Sequence, residues 1–83
     1  MRLGTLDSNI SDKIRNAILE ALPGADVSVE GGGGHFSLQV SHESFQGKSI
    51  VAQQRLVLSA IKHLMAGDGA PVHAVDSLKT IPR

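Results

Sequence analysis

Four histidines, His35, His42, His63 and His73, are the residues best equipped for chemistry in an 83-residue chain without a single cysteine. Neutral imidazole is the commonest nitrogen ligand for metals. With no thiolate available, any metal held by this chain must rely on His, Asp or Glu. A second constellation is cationic: Lys48, Arg55 and Lys62 recur every seven residues. Such a stripe reads either as a solvated helix flank or as a set of phosphate contacts. The third candidate is the run Gly31 to Gly34, which contains a G-x-x-G.

The histidines matter only if the fold brings them together, so the elements come next. Ile10, Ile14, Ile18 and Leu22 recur every four residues, which predicts a helix capped by Ser11 or Asn9 and ended by Pro23-Gly24. Val27 and Val29 alternate with polar residues, as do Phe36, Leu38 and Val40 beyond the glycines, so two half-buried strands are predicted, joined as a hairpin. A phosphate loop needs a strand before it and a helix N-terminus after it. Here a strand follows, and the G-x-x-G reads as a hairpin connection. Phe45, the only apolar residue of the connector Ser41 to Lys48, is expected to plug the end of the core.

From Ser49 to Met65 the spacing predicts the core helix. At about 100° per residue, Ile50, Val51, Val57, Leu58, Ile61, Leu64 and Met65 fall on one arc, with Gln54 projecting into its middle and the basic stripe along one border. Gly67-Asp68-Gly69 stops this helix, and Val72 to Leu78 reads as a third strand.

The order is therefore helix, strand, strand, helix, strand. Strand two, the core helix and strand three form a right-handed crossover, which makes the outer strands parallel. The expected fold is α+β, a three-stranded mixed sheet with both helices on one face. In that topology His35 opens one parallel strand and His73 the other, at the same edge of the sheet. The pair is then either a shared ligand site or two ordinary surface residues. His42 and His63 fall elsewhere and are expected at the surface. Two imidazoles do not close a metal site, so further ligands would have to come from a partner.

Composition narrows the class. Eight Lys plus Arg balance eight Asp plus Glu, and Phe36 and Phe45 are the only aromatics, so neither a strong positive excess nor a stacking platform supports tight nucleic-acid binding. No nucleophile elbow, zinc-binding helix motif or paired-carboxylate pocket is present, and an enzyme is not expected. No stretch approaches the ~20 apolar residues of a membrane span. The expectation is one soluble domain over residues 1–83, cytoplasmic or organellar, with residues 1–8 disordered and the unliganded chain a monomer or weak homodimer.

Several of these residues resemble a known family. Phe45-Gln46-Gly47-Lys48-Ser49, then Gln53-Gln54-Arg55 on the helix, then Val72-His73-Ala74-Val75 and Pro82 look like the BolA-like family, and the Gln53-Gln54 pair looks like its IbaG-like branch. The match spans about Ile10 to Pro82. It departs from the family where many members carry Arg-His in place of Gln53-Gln54. It also departs after Pro82, where a further family helix is lacking.

The resemblance implies a class II KH-like fold and a non-enzymatic partner of monothiol glutaredoxins of the Cys-Gly-Phe-Ser type. Together the two proteins hold a two-iron, two-sulfur cluster, with thiolates from the glutaredoxin and glutathione and histidine from the BolA-like chain. His73 matches the family's cluster-binding histidine, and His35 best matches its variable second ligand. Histidine in place of cysteine on one iron raises the potential of such a cluster. The alternative implied by the fold is a nucleic-acid-binding transcriptional regulator, with Lys48, Arg55 and Lys62 on phosphates.

Overall fold

The computed structural model describes residues 6–83. Helix α1 (Leu6–Ala21) leads into strands β1 (Asp26–Gly32) and β2 (His35–His42), then a short 3-10 turn over Glu43–Phe45. Helices α2 (Ile50–Ala60) and α3 (Lys62–Met65) follow, and strand β3 (Ala74–Pro82) completes the order. The sheet runs β1-β2-β3, with β1 antiparallel and β3 parallel to β2. This is the mixed α+β sheet predicted from the order of elements. Val27 and Val29 on β1 and Phe36, Leu38 and Val40 on β2 turn toward a core shared with α1 and α2.

Element edges differ from the predicted ones in instructive ways. Helix α1 starts upstream of Asn9 and Ser11, so both lie inside it and neither caps it. The disordered segment expected over residues 1–8 falls partly on residues 1–5, outside the described residues, while residues 6–8 open α1. Strand β3 begins two residues later than predicted and runs on to Pro82, because its partner β2 continues to offer pairing positions, past one bulge at Asp76, up to Ile81 and Pro82. Val72 is fully buried without belonging to a strand.

The core helix is capped by Ser49, whose hydroxyl accepts the Ala52 N–H at 3.1 Å, and it breaks at Ile61 before resuming as α3. Its buried face is not the predicted arc. Val57, Ile61 and Leu64 are buried, but Ile50 is 66% exposed, Val51 57% and Leu58 37%. The whole face is rotated away from these three, and the buried glutamine is Gln53, 5% exposed, with Gln54 only half-buried.

Gln53 can be buried because every polar atom of its amide is used. Its Nε2 donates to the Phe45 carbonyl at 3.2 Å and the Lys48 carbonyl at 2.8 Å, and its Oε1 accepts the Thr80 hydroxyl at 2.6 Å. One side chain thus ties the 3-10 turn, the start of α2 and β3 together. Phe45, fully buried beside it, fills the end of the core as expected.

His42 is a second correction. Expected at the surface, it is 7% exposed. Its Nε2 lies 2.9 Å from the Pro23 carbonyl, and its Nδ1 accepts the Ser44 N–H at 3.0 Å. Both ring nitrogens are consumed structurally, which removes His42 from the candidate ligands.

Removing a buried, fully bonded amide leaves several partners unmade, whereas Gln54 makes one long bond, to the Leu78 carbonyl at 3.3 Å. Gln53→Leu is therefore expected to cost about 2–3 kcal/mol and Gln54→Leu less than about 1 kcal/mol. Urea unfolding of the two variants measures the difference, and equal effects would contradict the assignment of Gln53 as the buried amide.

Candidate functional site

The two remaining histidines near the sheet, His35 and His73, both lie at the start of the β2-β3 pair. The turn between β1 and β2 is two residues long, Gly33-Gly34, with φ of 63° and 85°. Positive φ at both central positions is the geometry that matches the twist of a hairpin, and glycine adopts it without strain. The chain therefore enters β2 at His35 immediately after a glycine whose carbonyl and missing side chain are both put to use.

The Gly34 carbonyl accepts two backbone N–H groups, from His73 at 2.8 Å and Ala74 at 3.0 Å. The His73 ring occupies the space above Gly34: a Cβ there would lie 2.1 Å from His73 Cδ2. Across the strands His35 pairs with Ala74, the residue after His73. The fold thus brings His35 and His73 to one end of the parallel pair. His73 precedes β3 rather than opening it, as the shifted strand start requires.

Both side chains are exposed. His35 Nδ1 lies 3.2 Å from Asp76 Oδ1. Asp76 reaches it because β3 bulges: Phe36 pairs with Val75 but Ser37 pairs with Ser77, leaving Asp76 as the extra residue. A carboxylate only accepts, so this contact places the ring proton on Nδ1 and leaves the Nε2 lone pair as the donor. A carboxylate behind an imidazole is the usual outer support of a metal-ligating histidine. Sequence reasoning did not find Asp76, since one bulge sets its position. Neither ring nitrogen of His73 has a hydrogen-bond partner among the described residues.

As a donor set, the site offers two nitrogen ligands. Among the described residues no group of three or more His, Asp or Glu is placed to hold a metal ion. The set suits a shared cluster or ion whose other ligands come from outside, and does not suit a metal held by this chain alone.

The other candidates lie elsewhere. His63 is exposed on α3. Lys48 just before α2, Arg55 on α2 and Lys62 on α3 are all exposed, and none takes part in an ion pair among the described residues. No described helix is long and apolar enough to cross a membrane.

Comparison with known proteins completes the picture. The family pattern described as BolA-like protein matches residues 10–82. A bolA protein homologue from Coxiella burnetii is 34% identical, with a TM-score of 0.72 over 87% of this chain and 88% of that one. The BolA domain of SufE1 from Arabidopsis thaliana is 26% identical, with a TM-score of 0.69 over 95% of each chain. BolA1 from Mus musculus is 28% identical, with a TM-score of 0.64 over 96% of this chain and 72% of that one. No curated protein sequence is similar enough to this chain to count as a relative.

Two variants probe the geometry of this corner. Gly34→Ala puts a Cβ at positive φ and into the His73 ring, and is expected to destabilise by about 1–3 kcal/mol. A moved His73 ring resonance should accompany that loss, and an unmoved ring would mean that the Gly34 contact does not position it. Asp76→Ala is expected to leave stability within about 0.5 kcal/mol, since the pair is exposed. It should nevertheless lose the Nδ1–H preference of His35, read from long-range proton–nitrogen correlations of the imidazole.

Proposed function

Because the chain belongs to the BolA-like family, we propose that it is a non-enzymatic iron-sulfur adaptor. In this reading it binds a monothiol glutaredoxin and co-ligates a two-iron, two-sulfur cluster for assembly, transfer or iron sensing. The observation that carries the reading is the pair of exposed imidazoles at one end of the β2-β3 pair in a chain without cysteine. Such a chain offers nitrogen donors and leaves thiolates to the glutaredoxin and glutathione.

The roles divide according to what holds each ring. His73 is the principal ligand: its backbone N–H is fixed on the Gly34 carbonyl and its ring packs against Gly34, so it is oriented before any partner arrives. His35 is the secondary ligand, supported only by an exposed carboxylate on a bulge. The cluster, when bound, supplies the redox chemistry and is the cargo; the chain's own part is to present and orient imidazole nitrogen.

The test is co-purification with a Cys-Gly-Phe-Ser glutaredoxin and glutathione, followed by absorption and electron paramagnetic resonance spectra. His73→Ala is expected to leave the unliganded fold intact and to abolish or relocate the histidine-ligated cluster, with His35→Ala doing less. A spectrum unchanged by His73→Ala would refute the assignment of the site.

A further inference from the structure

The rotation of α2 away from its predicted face leaves an unpartnered seam on the outside of the molecule. Lys48, just before the Ser49 cap, then Val51, Arg55 and Leu58 on α2, and Lys62 and the half-buried Met65 on α3, succeed one another at intervals of three and four residues. That is the heptad spacing with which one helix meets another. Apolar and basic residues alternate strictly along it. Val51 and Leu58 are among the three most exposed large hydrophobic residues of the described chain, and Arg55, Leu58, Ser59, Lys62 and Met65 line a shallow cleft there. From Val51 to Leu58 on α2 the seam extends about 10 Å, one heptad of a partner, and Lys62 and Met65 continue it on α3 beyond the break at Ile61.

Its electrostatics are one-sided. The chain is neutral as a whole, yet no Asp or Glu occurs between Glu43 and Asp68. The three cations of the seam make no ion pair among the described residues. The balancing acidic residues lie elsewhere, on α1, β1 and β3, in the 3-10 turn at Glu43 and in the loop at Asp68.

We infer that this seam is a docking surface for an acidic amphipathic helix of a partner protein, which sets carboxylates against Lys48, Arg55 and Lys62 and apolar side chains between them. The inference goes beyond the cluster reading and does not rest on it. A second copy of this chain does not fit, because pairing the seam with itself would oppose like charges. Nucleic acid would satisfy the cations but leave Val51 and Leu58 unburied, with no aromatic on the seam to stack a base. A lipid surface suits a helix whose cations flank its apolar face. Here the cations border one side only of a narrow line on which Val51 and Leu58 are the exposed apolar residues, too little apolar surface to enter the acyl boundary.

The test uses the full chain, nitrogen-15 labelled, and a synthetic helical peptide of about 21 residues carrying Leu and Glu alternately along one heptad seam. Amide shifts centred on Val51, Arg55, Leu58, Lys62 and Met65 are expected, with a peptide of the same composition in scrambled order leaving them unmoved. Leu58→Glu should weaken binding about tenfold or more. Val51→Ser, at a more exposed position, serves as the second apolar variant, and thermal unfolding confirms that both fold. Arg55→Glu should weaken binding about tenfold, with recovery when the opposing Glu of the peptide is changed to Lys.

Four results would overturn the inference: equal binding of the scrambled peptide, shifts centred on another surface, no shifts at ~1 mM peptide, or uptake of anionic vesicles or duplex DNA by this seam in place of the peptide.

Discussion

The backbone of Gly34 is the constraint from which the rest of the functional end follows. Its carbonyl collects two N–H groups from the start of β3, and its bare Cα admits the His73 ring. One residue thereby closes the hairpin, sets where β3 begins and orients a histidine. A side chain at this position would strain the turn and displace the ring together. Gly31 enforces the same economy one turn earlier, where a Cβ would meet the His35 carbonyl at 2.2 Å. Gly31 and Gly34 thus serve packing, and Gly33 serves the turn through its positive φ.

Much of this was legible in the sequence, for a topological reason. Alternation marks β1 and β2, four-residue recurrence marks α1, and a helix between two strands of one sheet leaves little choice but a parallel right-handed crossover. That crossover alone carries His35 and His73 to the same edge. The resemblance to BolA-like proteins singled out the same two residues by an independent route, His73 through the Val72-His73-Ala74-Val75 segment and His35 as the best match to the family's variable second ligand.

What the sequence hid were the places where polarity and burial part company. Gln53 and Gln54 are identical neighbours, and periodicity counts only side-chain type. The choice between them depends on the Phe45 and Lys48 carbonyls and the Thr80 hydroxyl, groups supplied by three separate segments. His42 is buried for a similar reason, with the Pro23 carbonyl and the Ser44 N–H waiting for its two nitrogens. A polar side chain enters a core when the backbone provides partners. No local pattern records where those partners will be. Asp76 adds a third case, since a single bulge decides which residue faces His35.

Burying Gln53 has a consequence on the far side of the same helix. An α-helix presents a fixed angular width to the core, so turning Gln53 inward turns Val51 and Leu58 outward, beside Arg55 and Lys62. The apolar positions that made α2 look like a core helix are therefore divided between the core and the surface. In the proposed adaptor role, an end that offers only two nitrogen donors would gain little affinity alone. A second contact, through a helix seam of opposite charge, would raise the effective concentration of the first without altering its ligands. Because the two proposed surfaces use different residues, His35 and His73 on one and Val51 to Met65 on the other, partner recognition and cluster ligation, as proposed, could vary independently of each other.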